Sequence, residues 1–144
     1  MNRNYLVWAM IVSALVGLTD SAYLTYLTFN PETSCPVGEF SIFSCNSVIY
    51  SQYSHPYGVS VAVLGLGWFV IALGLILITS RNVRLMRGVV VWSLLGAVGV
   101  AASVYTEIFL LGFICPLCTI AHIAGLAILV LSVAYIRIPS GQFS

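Results

Sequence analysis

Lysine is absent from this chain, and charge of either sign is scarce: five arginines, one aspartate and three glutamates among 144 residues. A formal net charge of +1, carried by scattered arginines, leaves no basic surface of the kind that binds nucleic acid. With 60% hydrophobic residues and only 6% charged ones, a soluble domain of this size is excluded as well. There is no internal repeat, no low-complexity tract and no second domain.

What is present is apolar and long. Four stretches, about 5–29, 58–79, 88–112 and 115–136, are each near or above the roughly 20 residues that cross a hydrocarbon core. They predict an all-α membrane protein: one domain, residues 1–144, forming a four-helix transmembrane bundle. Arg3 precedes the first span, Arg81, Arg84 and Arg87 lie in the 80–87 loop, and Arg137 follows the fourth. The 30–57 loop holds Glu32, Glu39 and no basic residue. By the positive-inside rule both termini and the 80–87 loop are cytoplasmic, and the 30–57 loop is extracytoplasmic, with all four cysteines on that side. A prokaryotic plasma membrane is the expected location. The first span is too long for a cleaved signal peptide, and Asp20 stands where a small residue would be needed before a cut.

In the first span Asp20 lies about 14 Å below Phe29 at the helical rise, an expensive depth for an unpaired ionisable group. Spans two and three are rich in small residues, among them Gly65, Gly67, Gly74, Gly96 and Gly99, which let helices approach closely in lipid. In the outer loop Gly38 would allow a sharp turn between Cys35 and Cys45, and Asn46–Tyr53 predicts a short interfacial helix with Val48 and Ile49 toward lipid. The Pro139–Ser144 tail is polar and expected to fray.

Cys115-Pro116-Leu117-Cys118 places two thiols three residues apart, within one helical turn, where they can form a disulfide and exchange it. Pro116 suits the first turn of the helix that continues through Ile120–Ile136. Cys115 therefore falls near an N-cap, and the positive helix end should lower the pKa of at least one of the two thiols. Haem attachment would need histidine at position 119, which is threonine. A four-cysteine zinc site fits the nine-residue gap between Cys35 and Cys45 poorly, so no metal is expected; inert cysteines are the other bland reading. A dithiol–disulfide relay is favoured because both pairs fall on one side of one membrane. The loop pair would meet soluble thiols, and the helix pair an acceptor dissolved in the bilayer, a role that suits a quinone. Asp20, Glu107 and His122 all lie in the outer halves of their spans and are candidates for a proton path. Packing alone could equally account for each.

The order of these features resembles the vitamin K epoxide reductase family, in particular its small prokaryotic members. A span ends in Ser21-Ala22-Tyr23-Leu24-Thr25-Tyr26; a loop carries Cys35 and Cys45, with Ser51 six residues further on; Gly58-Val59 opens span two; and Glu107 precedes the late C-x-x-C. The resemblance covers nearly the whole chain. It implies a quinone of menaquinone, ubiquinone or vitamin K type held inside the four helices next to Cys118, electron transfer through a Cys45–Cys115 mixed disulfide, and Ser51 hydrogen-bonded to the quinone. His122 stands where vertebrate relatives carry a tyrosine near the quinone, a departure that bears on quinone preference and epoxide chemistry. Without the thioredoxin-like domain that some bacterial relatives carry fused, a separate thioredoxin-like extracytoplasmic protein is the implied partner. The function expected is that of a membrane thiol oxidoreductase. It oxidises that partner's dithiols through Cys35/Cys45 and Cys115/Cys118, reduces a membrane quinone and so supports disulfide formation, with vitamin K quinone or its epoxide as further candidate substrates. The alternative is a small proton-coupled transporter using Asp20 and Glu107.

Overall fold

The computed structural model describes residues 2–33, 35–36 and 40–138; Gly38, Glu39 and the Pro139–Ser144 tail lie outside them. Among the described residues there are five α-helices: α1 (Arg3–Phe29), α2 (Cys45–Ile49), α3 (Val61–Thr79), α4 (Val83–Tyr105) and α5 (Pro116–Arg137). A π-helical turn, Thr106–Leu111, prolongs α4, and two 3-10 turns, Gln52–Ser54 and Pro56–Gly58, lead from α2 to α3. Four helices, α1, α3, α4 with its π turn, and α5, are long and apolar enough to cross a membrane. The chain is an all-helical integral membrane protein.

Helix α1 packs on α3 and α5, and α4 packs on the same two, so the spans run round a ring in the order α1, α3, α4, α5. Met10, Ile76, Met86 and Ile128 fill the core toward the arginine-bearing end. Between α1 and α3 the ring of Phe69 occupies the space a side chain at position 17 would need, so the contact depends on Gly17. Not every small residue serves this way: no neighbouring atom lies within 4 Å of where a Cβ on Gly67, Gly74 or Gly99 would be. Helices α3 and α4 are joined by a reciprocal pair of indoles. Trp68 Nε1 donates to the Trp92 carbonyl at 3.3 Å, and Trp92 Nε1 to the Trp68 carbonyl at 3.2 Å.

One end of the bundle gathers the arginines. Arg3 Nη2 donates to the Ile138 carbonyl at 2.7 Å, its guanidinium lies 5.3 Å over the Tyr135 ring, and the Tyr135 hydroxyl donates to the Ser80 carbonyl at 2.8 Å. The first residues of α1, the last of α5 and the α3–α4 turn therefore meet there. That turn is shorter than the predicted 80–87 loop: Asn82 caps the Arg84 N–H at 3.0 Å, α4 starts at Val83, and Arg84 and Arg87 belong to its first turns. At the opposite end, α3 begins three residues later than the predicted Gly58. Tyr57 and Gly58 take left-handed backbone angles (φ 57° and 81°), which no helix continues, and Ser60 then caps the Ala62 N–H.

The outer loop departs most from expectation. The helix predicted over Asn46–Tyr53 is only Cys45–Ile49, capped by Ser44, whose Oγ accepts the Ser47 N–H at 3.2 Å. Val48 and Ile49 are buried rather than turned to lipid, because α2 lies across the mouth of the bundle and packs onto Leu24, Leu27 and Leu117.

Candidate functional site

The loop reaches the C-x-x-C through the main chain. The Ile114 N–H donates to the Ile42 carbonyl at 2.8 Å and the Ser44 N–H donates to the Ile114 carbonyl at 3.2 Å, a parallel bridge of two rungs. Cys45 follows Ser44 and Cys115 follows Ile114, so this pairing sets the two cysteines side by side. Their sulfurs are 3.4 Å apart, unbonded, and both residues are fully buried.

Cys115 is the N-cap of α5, with Pro116 in the first turn, and its Sγ accepts the Cys118 N–H at 3.2 Å. Cys115 therefore sits between Cys45 and Cys118. Its thiol is not lowered by the helix end: the Cys118 thiol beside it and burial push it above the ordinary thiol range. The Cys115 thiol and burial do the same to Cys45. A half-charge at a helix terminus is outweighed when the sulfur is out of water and its neighbours are themselves potential anions. The loop pair is also not open to water as the polar loop sequence suggests. Cys45 is wholly covered by Leu24, Leu27, Val48, Ile49 and Leu117, and Cys35, 8% exposed, is the nearer of the two to the surface.

Beneath α2 lies a cavity of about 260 Å³, enclosed by the outer halves of the four spans. Its walls are mostly apolar, with Leu24, Val48, Ile49 and Leu111 among them, and its polar groups include Ser54, Glu107, Cys118 and His122. The structure thus brings Cys118, Glu107 and His122 to one space, with Cys45 and Cys115 just above. Asp20 is not among the lining residues, although its neighbour Ser21 is; Asp20 Oδ2 is buried with no hydrogen-bond partner among the described residues. Ser51 is not in the lining either. Its Oγ lies 3.1 Å from that of Ser54, and Ser54 donates its single proton to the Val48 carbonyl, so Ser51 must be the donor in the serine pair. Ser54 is the serine that faces the cavity, and nothing in the residue pattern distinguishes it from Ser51.

The hydroxyls of Thr28 and Thr106 also line the cavity, but each donates to the carbonyl four residues back, Leu24 and Ala102. A flat, mostly apolar molecule with two carbonyl oxygens suits such a space. The walls provide the apolar contact, and His122 and Cys118 carry polar atoms at its edge.

Comparison with known families agrees with this architecture. The profile described as the vitamin K epoxide reductase family matches residues 8–133, nearly the whole chain. The chain belongs to the vitamin K epoxide reductase family. Membership makes it a quinone-linked membrane thiol–disulfide oxidoreductase, and gives no support to the transporter reading of Asp20 and Glu107. Among curated proteins none matches the chain significantly.

Proposed function

We propose that the protein takes electrons from the dithiol of a thioredoxin-like extracytoplasmic partner and delivers them, through Cys35/Cys45 and then Cys115/Cys118, to a membrane quinone. It would act in a prokaryotic plasma membrane with both termini cytoplasmic, in support of disulfide formation. The observation that carries this reading is the position of Cys115, with Cys45 Sγ 3.4 Å on one side, the Cys118 N–H on its sulfur, and Cys118 opening on the cavity.

In the proposed order, a partner thiolate attacks the Cys35–Cys45 disulfide at Cys35, the less buried sulfur, and Cys45 leaves as thiolate. Cys45 then attacks Cys115 of a Cys115–Cys118 disulfide; a Cys45–Cys115 bond forms and Cys118 leaves as thiolate. The second partner thiol then attacks the partner's own sulfur in the mixed disulfide with Cys35, which frees the partner in its oxidised form and releases Cys35 as thiolate. The Cys35 thiolate then resolves the internal mixed disulfide, restoring Cys35–Cys45 and leaving Cys115 and Cys118 reduced. A quinone held in the cavity, with menaquinone, ubiquinone and vitamin K types all candidates and vitamin K epoxide a further one, supplies an acceptor for two electrons and two protons. His122 would orient one of its oxygens, while the apolar walls exclude water.

Cys118→Ala tests the order. The variant should still trade disulfides between Cys35/Cys45 and a soluble dithiol, while reduction of menadione by dithiothreitol falls to background. Normal turnover in this variant would sink the mechanism.

A further inference from the structure

We propose that Glu107 is the positioning residue of the relay: it fixes the peptide of Cys115 so that one sulfur can be shared between Cys45 and Cys118. The inference rests on the relay reading above. Three observations converge on it.

Glu107 organises the connection between α4 and α5 with both its main chain and its side chain. Its carbonyl accepts the N–H groups of Gly112 and Phe113, the latter at 3.1 Å, and its Oε2 accepts the N–H of Cys115 at 3.0 Å. Gly112 turns the chain there in a left-handed conformation, φ 68°. Glu107 also lies on the π-helical turn, whose extra residue widens the helix at this point; such turns are uncommon and recur at functional sites. Finally, the residue is 5% exposed and supplies the one carboxyl among the cavity-lining residues. A buried carboxyl at this depth in a membrane protein is costly to keep, and among the described residues its side chain is bonded to the cysteine peptide.

The chemistry needs such a fixed point. In the internal exchange the Cys45–Cys115 bond forms as the Cys115–Cys118 bond breaks, with no net change in electrons. The proton lost by Cys45 is matched by one that Cys118 can take up. Displacement at sulfur requires the attacking and leaving sulfurs to lie on opposite sides of the central one, so a drift of the Cys115 main chain misaligns both partners at once. Cys45 is held by the Ile114 bridge and Cys118 by its place in α5. The Glu107 carboxyl is what ties the Cys115 N–H, which the first turn of a helix leaves without a main-chain acceptor.

The test compares E107A and E107Q in the full chain, purified in detergent. One set carries Cys35→Ser to trap the internal mixed disulfide, mapped by mass under non-reducing conditions in a fixed glutathione buffer; the other, with all four cysteines, is assayed with dithiothreitol and menadione. E107A should lower the trapped Cys45–Cys115 fraction about tenfold and kcat by a similar factor, with KM for menadione within about twofold. E107Q, whose amide oxygen can accept the same N–H, should keep at least about half of both and an unchanged pH profile. Equal trapping in E107A and its parent overturns the proposal, and so does an E107Q variant as defective as E107A, which would assign Glu107 to proton transfer. Should E107A not fold, E107Q decides alone by the same criterion. A Glu107 parent that traps no Cys45–Cys115 bond overturns the relay itself, and the proposal with it.

Discussion

Ile114→Pro removes one atom that the site depends on and leaves the cysteines in place. Proline has no N–H, so the 2.8 Å bond from Ile114 to the Ile42 carbonyl is lost, while the 3.2 Å bond that the Ile114 carbonyl accepts from Ser44 can remain. A hydrogen bond of this kind contributes about 1 kcal/mol net. The burial of α2 against Leu24, Leu27 and Leu117 is untouched, so the loop should stay on the bundle but hold its register less firmly. If docking of Cys45 on Cys115 weakens by that amount, the docked population falls about fivefold relative to undocked forms. The assay is the yield of Cys45–Cys115 disulfide in a Cys35→Ser background after brief exposure to a fixed glutathione ratio, with Ile114→Val as the control that keeps the main chain. Equal yields for proline and valine would refute the claim that this bridge, rather than helix packing alone, aligns the two sulfurs.

Three further outcomes follow from the same geometry. Gly17→Val should destabilise the bundle by about 1–3 kcal/mol, because the new side chain meets the Phe69 ring; a fall in the thermal unfolding midpoint in detergent measures it, and an unchanged midpoint would mean the ring is free to move. In the fully reduced protein Cys45 and Cys115 should be alkylated by iodoacetamide at pH 8 far more slowly than free cysteine, since their thiols are held above the ordinary range; labelling as fast as free cysteine would contradict that burial. Ser54→Ala should raise KM for menadione more than Ser51→Ala does, because Ser54 forms part of the cavity wall and Ser51 does not; the reverse ranking would make Ser51 the serine that meets the quinone.

The four spans are legible in the sequence because lipid leaves few alternatives: a run of about 20 apolar residues must close its hydrogen bonds as a helix. The Cys115-Pro116-Leu117-Cys118 turn is legible for a local reason, proline at the head of a helix. What depends on how helices rotate and how loops fold back is not. Asp20 and Ser21 are neighbours in sequence, about 100° apart around α1, and only the packing of α1 on its neighbours decides that Ser21 and not Asp20 lines the cavity. Val48 and Ile49 read as a lipid-facing pair because apolar residues at an interface have two places to go, and the covered mouth of the bundle is invisible until four helices are assembled. The Ile114 bridge uses main-chain atoms, which carry no residue signature.

The direction of the thiol shifts changes how the reactivity of this site should be understood. A low thiol pKa at the head of α5 would supply reactivity through abundance of thiolate. Cys45 is instead pushed up by the Cys115 thiol and Cys115 by the Cys118 thiol, and both by burial, so at neutral pH the thiolate fraction of each is small. Exchange between them must then draw on proximity. Well-oriented intramolecular reactions reach effective molarities of about 10⁵–10⁸ M, and two sulfurs 3.4 Å apart are at near-attack distance. Such an arrangement is fast only toward its own partner, and slow toward stray oxidants and soluble thiols, which meet a buried, protonated sulfur. The sign of the pH dependence follows. With both thiols above their ordinary range, raising pH increases the attacking thiolate without exhausting it. The rate of internal exchange, measured by stopped-flow quenching with acid, should therefore climb about tenfold per pH unit between about pH 7 and 9. A rate that levels off below pH 8 would show that at least one of these sulfurs ionises as an ordinary or activated thiol, and that the helix end, not proximity, drives the exchange.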